Sequence, residues 1–399
     1  MTRRDASHPH RRRDPLTVLI APDSFKGSLT SVEVARALAD GWLRARPDDE
    51  ILLAPLADGG EGTLVAIEAA GGWVRRSVRA TNPVGVQIHA SWLQSQDGTR
   101  AFVELAEASG LSRVPIAARA PLSSTTYGTG EVLRAVLDAG VRQITIGIGG
   151  SATTDGGAGI LEALGAVYTW PFGQQPDLAP DVLEDLEAID LSRLDPRLAQ
   201  VDLRIACDVT NPLLGEHGAA ATYGPQKGAD AADVDVLERG LGHYAGLLEQ
   251  ATGRRERETP GAGAAGGTGF GLLAVRDWFH TVDLVPGIEL VMEATGFEQK
   301  LGRANLVITG EGRIDAQTAF GKTALGVARR AHARGTPTIA VGGGVTPEGI
   351  EALASLGVVV VPVVERPQSV AEAMAAGAAP LLRCGERIAR LLELTKSAD

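Results

Sequence analysis

Cysteine is nearly absent: Cys207 and Cys384 are the only two in 399 residues and lie far apart. That excludes a disulfide framework and a cysteine zinc site, and it fits a reducing compartment. No apolar run reaches the ~18 residues that a membrane-spanning helix needs, so no membrane association is expected. Positive charge is outweighed, with 38 Lys and Arg against 49 Asp and Glu, and the formal net charge of −11 weighs against a nucleic-acid partner. The first fourteen residues carry five arginines, but they lack the roughly 7–15-residue hydrophobic segment of a secretory leader. Residues 1–16 therefore read as a disordered Arg-rich tail, and the cytoplasm is the expected address. Lysine is scarce too. Of 38 basic residues only Lys26, Lys227, Lys300, Lys322 and Lys396 are lysines. Three of them, Lys26, Lys227 and Lys322, sit in glycine-rich turns, where a compact, mobile ammonium can reach a phosphate.

What the chain has in quantity is glycine, 50 residues in all, much of it at the ends of apolar runs. Ile144-Thr145-Ile146-Gly147-Ile148 is the β-branched run of a buried strand. It breaks into Gly149-Gly150-Ser151-Ala152-Thr153-Thr154-Asp155-Gly156-Gly157, and Ile160, Leu161 and Leu164 then recur at helical spacing. Strand, glycine-rich turn and helix start together let backbone N–H groups face an anion. A tight turn with a Ser/Thr/Asp helix cap is the plainer alternative. Comparable polar turns follow the apolar runs at 16–21, 50–55, 202–206 and 305–309. Between them, residues 73–80, 86–93 and 100–107 alternate apolar and polar, as an antiparallel meander does. Residues 171–197 are acidic and proline-bearing and read as a surface excursion. The expected architecture is α/β with two domains. Residues 17–72 and 286–399 form a doubly wound parallel-sheet domain built from both chain ends, and 73–285 form an inserted mixed α/β domain with the meander. The active site is expected in the cleft.

The turns carry carboxylates (Asp23, Asp58, Glu61, Asp155, Asp208, Glu311, Asp315), hydroxyls (Ser24, Ser151, Thr153, Thr154) and the lysines Lys26 and Lys322. Histidine is missing from all of them, which leaves Ser-His-Asp or Cys-His chemistry without support. Paired carboxylates alone suit glycoside hydrolysis, but that needs neither lysine nor a phosphate cradle. Glycine loops, lysine and several carboxylates together fit phosphoryl transfer, with Mg²⁺ held by oxygen ligands. The standard phosphate motifs are not met. Gly321-Lys322-Thr323 has a P-loop ending, but Ala316 stands where the earlier glycine belongs. Gly261, Gly263 and Gly266 satisfy G-x-G-x-x-G without an obvious preceding strand.

Eight blocks, in order APDSFKGSLTS, PLADGGEGT, TYGTGEV, IGGSATTDGGAG, ACDVTNPLLG, TYGPQKGA, PGAGAAGG and ITGEGRIDAQTAFGKT, resemble the type-1 glycerate kinase family of bacteria over about residues 17–390. The resemblance implies ATP- and Mg²⁺-dependent phosphorylation of D-glycerate, most often at the 2-hydroxyl, with 3-phosphoglycerate as the other possible product. It leaves monomer and homodimer both open. Carried onto matching positions, it implies that Lys26, Asp58 and Asp208 are catalytic, with Asp58 or Asp208 as the base that orients the glycerate hydroxyl. Ser24, Gly59, Glu61, Gly149, Gly150, Ser151, Thr153, Thr154, Asp155, Asn211, Gly266, Gly267, Arg313 and Lys322 would bind substrate or phosphate. Glu311 and Asp315 would hold Mg²⁺. Plainer roles stay open for some: a helix cap for Asp155, a local ion pair for Arg313, helix-start charges for Lys26 and Lys322.

Two other function classes make contrary demands. A 2-hydroxy-acid dehydrogenase wants G-x-G-x-x-G directly after a strand, and the first strand here runs into PDSFKGS. A non-catalytic sensor of small acids with the same fold would lose the carboxylates, and Asp58, Glu61, Asp208, Glu311 and Asp315 are all present.

Overall fold

A computed structural model describes residues 14–394 apart from 175, 317 and 319–322, so Lys322 lies outside the described residues. Its strands are β1 (Thr17–Pro22), β2 (Glu50–Leu53), β3 (Trp73–Thr81), β4 (Gln87–Ser95), β5 (Arg100–Glu104), β6 (Gln143–Gly147) and β7 (Val167–Thr169). They continue with β8 (Ala188–Asp190), β9 (Asp202–Ala206), β10 (Thr281–Val285), β11 (Leu306–Ile314), β12 (Thr338–Val345) and β13 (Val359–Pro362). Of the described residues, those up to 29, those at 33–54 and those from 298 onward form one compact unit, and 30–32 with 55–297 form the other. The helix Thr63–Ala70, inside the expected 17–72 segment, counts with the second unit.

The first unit is a parallel sheet in the order β13-β12-β11-β1-β2. Its interior strand β1, paired on both sides, is buried on both faces, which is why TVLIAP is apolar almost throughout. Val18 and Ile20 point into a core with Val34, Leu38 and Trp42 of the helix Ser31–Ala45 and Leu381 and Ile388 of the helix Ala379–Leu394. A separate core joins Ala340 to Leu325 and Ala328 of the helix Thr323–Ala333 and Leu353 of the helix Pro347–Ala354. Helices on both faces and strands from both chain ends make this the doubly wound unit expected.

One buried ion pair fixes the turn into β2. Arg46 and Asp49 are 8 % and 2 % exposed, with Nε of Arg46 2.5 Å from Oδ2 of Asp49. The carboxylate also accepts from the Trp42 indole (2.8 Å) and the Leu16 N–H (2.9 Å). Burial alone would raise its pKa, but Arg46, Leu16 and Trp42 together hold it below the usual carboxylate range. A depressed folded value means stability that is present at neutral pH and lost as pH falls through that value. Asp49→Asn leaves the buried guanidinium without its counter-charge, and we expect a loss of about 2–3 kcal/mol in urea unfolding at pH 7, shrinking toward acid.

The second unit holds a six-stranded sheet in the order β10-β9-β6-β5-β4-β3. β10, β9, β6 and β5 run parallel, while β4 and β3 are the antiparallel meander at the edge. The helices Tyr127–Asp138, Ala158–Ala163, Ala231–Thr252 and Ala264–Ala274 contribute to one continuous core against this sheet. The 171–197 segment is not the surface excursion its acidity suggested. It is framed by the β7–β8 hairpin, and Leu183, Leu186, Leu191 and Leu194 are buried in the same core. The third meander run also ends earlier than its alternation implied, stopping at Glu104 before the short helix Ala106–Ser109.

Candidate active site

In the second unit the expected residues gather at the C-terminal ends of β5, β6 and β9, where open parallel sheets bind ligands. Three loops follow from the sequence: 58–62, 148–157 after β6, and 207–213 after β9. The first two lie backbone against backbone. A Cβ on Gly147 would overlap the Gly59 carbonyl, and one on Gly149 would come within 2.7 Å of Gly60 Cα. Gly147 and Gly149 are thus small because another loop passes over them. Gly150 is exposed and at φ +76°, and a Cβ there would only reach ordinary contact with Ala106 Cβ at 3.5 Å.

Asp208 and Asp58 come together beside Gly287, the first residue of the helix Gly287–Ala294. The Gly287 N–H donates to Oδ1 of Asp208 at 2.9 Å, and the Asp58 carbonyl lies close to the same glycine. Asp208 is solvent-accessible, yet protein packed around its carboxyl group desolvates it. That desolvation, with the Asp58 charge added, pushes its pKa up to about 6, while the Gly287 N–H pulls the other way. A carboxylate tuned upward beside a second carboxylate is what a general base for an alcohol requires. Asp58, exposed and with the Gly60 N–H donating to its Oδ1 at 3.1 Å, stands beside Asp208. Glu61 is exposed in the same loop.

The hydroxyl-rich part of the 148–157 loop faces inward. Ser151 is 5 % exposed, and Thr153, Thr154 and Asp155 have no exposed surface. Oγ1 of Thr153 and of Thr154 have no hydrogen-bond partner among the described residues. Asp155 accepts from the Thr126 N–H (2.8 Å) and hydroxyl (2.7 Å) and from the Gly157 and Gly159 N–H groups (3.1 and 3.2 Å). It therefore ties two helix starts together, and its plainer role as a cap is the one the contacts describe. Asn211 is used locally as well, donating to the His217 carbonyl (2.8 Å) and accepting from the Tyr223 hydroxyl (2.7 Å). Gly266 and Gly267 form, with Ala265, three successive left-handed residues packed on residues 153–156.

Two residues here were outside the expected set. Lys227, 2 % exposed, donates from Nζ to the Thr153 carbonyl at 2.5 Å; burial pushes its ammonium down to about 7 against the pull of Asp155. Its scarcity and its glycine-rich turn had marked it as an ammonium that can reach a phosphate, whereas it is buried on the Thr153 carbonyl. Glu104, 4 % exposed at the end of β5, accepts from the Gly62 and Leu64 N–H groups at 2.9 and 3.2 Å. Nothing in its local sequence pointed there.

In the first unit the loop after β1 lies against the end of β11. Asp23 N–H donates to the Gly310 carbonyl at 2.8 Å, and a Cβ on Gly312 would stand 3.2 Å from Phe25 Cα. Asp23 accepts from the Ser24 N–H (2.6 Å) and the Thr323 hydroxyl (2.6 Å). Lys26 is exposed at the tip of this loop. Glu311 is 6 % exposed and accepts from the Thr318 hydroxyl at 2.6 Å. Asp315 pairs with Arg313 at 3.0 Å, the local ion pair that remained open for that arginine. Among the described residues no three His, Cys, Asp or Glu side chains are grouped as a metal site would need. The oxygen donors Glu311 and Asp315 still suit a Mg²⁺ that arrives on phosphates, since such an ion takes only one or two carboxylates from protein.

Comparison with known proteins adds a second line. The model of the glycerate kinase family matches residues 18–393. A glycerate kinase of Halalkalibacterium halodurans is 45 % identical over 382 residues, 96 % of this chain and 99 % of the relative. The glycerate 2-kinase of Escherichia coli K12 is 45 % identical over 331 residues, 83 % of this chain and 86 % of the relative. The crystal structure of a protein assigned as glycerate kinase 2 in Salmonella typhimurium LT2 superposes with a TM-score of 0.83 at 41 % identity, covering 96 % of this chain and 100 % of that one.

Proposed function

The chain belongs to the glycerate kinase family, and we propose that it transfers the γ-phosphoryl group of ATP to the 2-hydroxyl of D-glycerate in the cytoplasm. The products are 2-phospho-D-glycerate and ADP. The observation that carries the reading is the Asp208–Asp58 pair at the strand ends, with Asp208 raised to about 6 and held by the Gly287 N–H. Asp208 accepts the hydroxyl proton as the substrate oxygen forms its bond to phosphorus and the bond to the ADP oxygen breaks. Asp58 and Glu61 keep that neighbourhood anionic, which favours a protonated alcohol until the base acts. Lys26 and the Ser24 hydroxyl serve the phosphoryl oxygens, where a mobile ammonium is a point-charge partner. Glu311 and Asp315 would hold Mg²⁺, which supplies charge neutralisation at the phosphates.

The test is an enolase-coupled assay with D-glycerate and Mg-ATP, run with and without phosphoglycerate mutase. Signal without the mutase supports attack by the 2-hydroxyl. Signal only with it moves the attack to the 3-hydroxyl, and no ADP formation in either reaction overturns the substrate.

A further inference from the structure

The helix Thr63–Ala70 begins without a cap of its own. Its N-cap is Gly62, in the left-handed region at φ 91°, and no side chain of that segment bonds its first N–H groups. Those groups are met from 40 and 42 residues away. Oε1 of Glu104 accepts from the Gly62 N–H at 2.9 Å, and Oε2 accepts from the Leu64 N–H at 3.2 Å. A buried carboxyl group on a rigid strand end thereby closes the helix start. The cost of placing an acid at 4 % exposure is one that an ordinary surface cap would avoid.

What hangs from that anchor is the 58–62 loop. Glu104 pairs with Gly147 across the β5–β6 ladder, and Gly147 is where the Gly59 carbonyl crosses. The Thr63 hydroxyl donates to the Gly60 carbonyl at 2.7 Å, closing the loop on the helix start that Glu104 holds. The far end of the loop places the Asp58 carbonyl on Gly287, whose N–H holds Asp208. We propose that Glu104 is a positioning residue, which suspends the 58–62 loop from β5 and so sets the placement of Asp58 relative to Asp208. The proposal rests on the reading of Asp208 as base, and it touches no substrate atom itself.

Charge in the neighbourhood gives the anchor a second signature. Burial pushes Glu104 up to about 8, and the Glu107 and Glu61 charges add to this, against the Leu64 and Gly62 N–H groups. Arg75 on β3 also feels Glu104, though its bonded partner is Glu68. The anchor thus changes charge just above neutrality.

Glu104→Gln retains the shape but turns one acceptor into a donor facing an N–H. Measured at 25 °C on the full chain, kcat/KM for D-glycerate is expected to fall about 10- to 100-fold, the scale of a misplacement near one ångström. KM for Mg-ATP should stay within twofold, and Glu104→Asp should recover part of the loss. The wild-type kcat/KM profile should also bend near pH 8, and the Gln variant should not. A Gln variant that melts earlier but keeps kcat/KM within twofold would reduce Glu104 to a helix cap and overturn the proposal. Amide hydrogen exchange separates the two readings. If wild type phosphorylates nothing, the functional reading falls, while faster exchange at residues 60–64 in the Gln variant still supports the anchor and unchanged exchange defeats it.

Discussion

Asp208→Asn is expected to lower kcat by about 10²–10⁴-fold, the usual contribution of a positioned general base. The amide keeps the volume and can still accept from the Gly287 N–H through its oxygen, so the loop should hold its shape and KM for Mg-ATP should change little. Wild-type kcat/KM should rise with pH through about 6, where Asp208 loses its proton, and then hold level until the Glu104 bend near 8. The variant should lack that limb. Stability should move the other way. The folded pKa lies above the ordinary carboxylate value, so the fold binds more protons than the unfolded chain between about pH 4 and 6 and loses stability as pH rises through that window. Asparagine removes this liability, and the variant should unfold no earlier than wild type at pH 8. An inactive but equally stable variant separates catalysis from folding. A variant within fivefold of wild-type kcat would transfer the base to Asp58.

Much of this was legible because the chemistry sits where strands end. Asp58 and Asp208 stand in short polar turns directly after apolar runs, and a turn at the C-terminal end of a parallel strand is where such a fold places ligands. That β1 and β11, nearly three hundred residues apart, belong to one domain was legible because the doubly wound pattern stopped at the meander and resumed near Asn305, and the two strands pair directly. Local pattern could not reveal partners distant in sequence. Glu104 belongs to the run AFVELAEASG, where it reads as one more polar residue on a strand, and its two N–H donors are elsewhere in the chain. The glycines at and around the 148–157 turn have a further use that sequence alone does not show. Their smallness signalled room for a phosphate, and Gly147, ending β6, and Gly149 also make room for Gly59 and Gly60. In the 171–197 segment the many acids face outward and concealed a set of leucines that reach the core.

Gly266→Ala should cost about 3–5 kcal/mol or prevent folding, the range for overpacking combined with a forbidden backbone conformation. Two causes act together. Gly266 has φ +69°, where an L side chain is strained, and a Cβ there would overlap the Thr153 carbonyl and stand 2.7 Å from Thr154 Cα. The obstruction is backbone, so no side-chain rotation relieves it. The Thr153 carbonyl cannot retreat cheaply either, because it already accepts from the buried Lys227 ammonium at 2.5 Å, while the Gly156 N–H donates to the Gly266 carbonyl at 3.0 Å. Movement would separate the 148–157 loop from its support, and whatever folded protein remains should be impaired in catalysis as well. Ala265 provides the control. It already occupies φ 54°, at about 1–2 kcal/mol of strain for a residue with a Cβ, so Ala265→Gly should not destabilise the protein measurably. Urea midpoints of the two variants measure the contrast. A Gly266→Ala protein within 1 kcal/mol of wild type would mean that the 265–267 turn yields to the 148–157 loop, rather than bracing it.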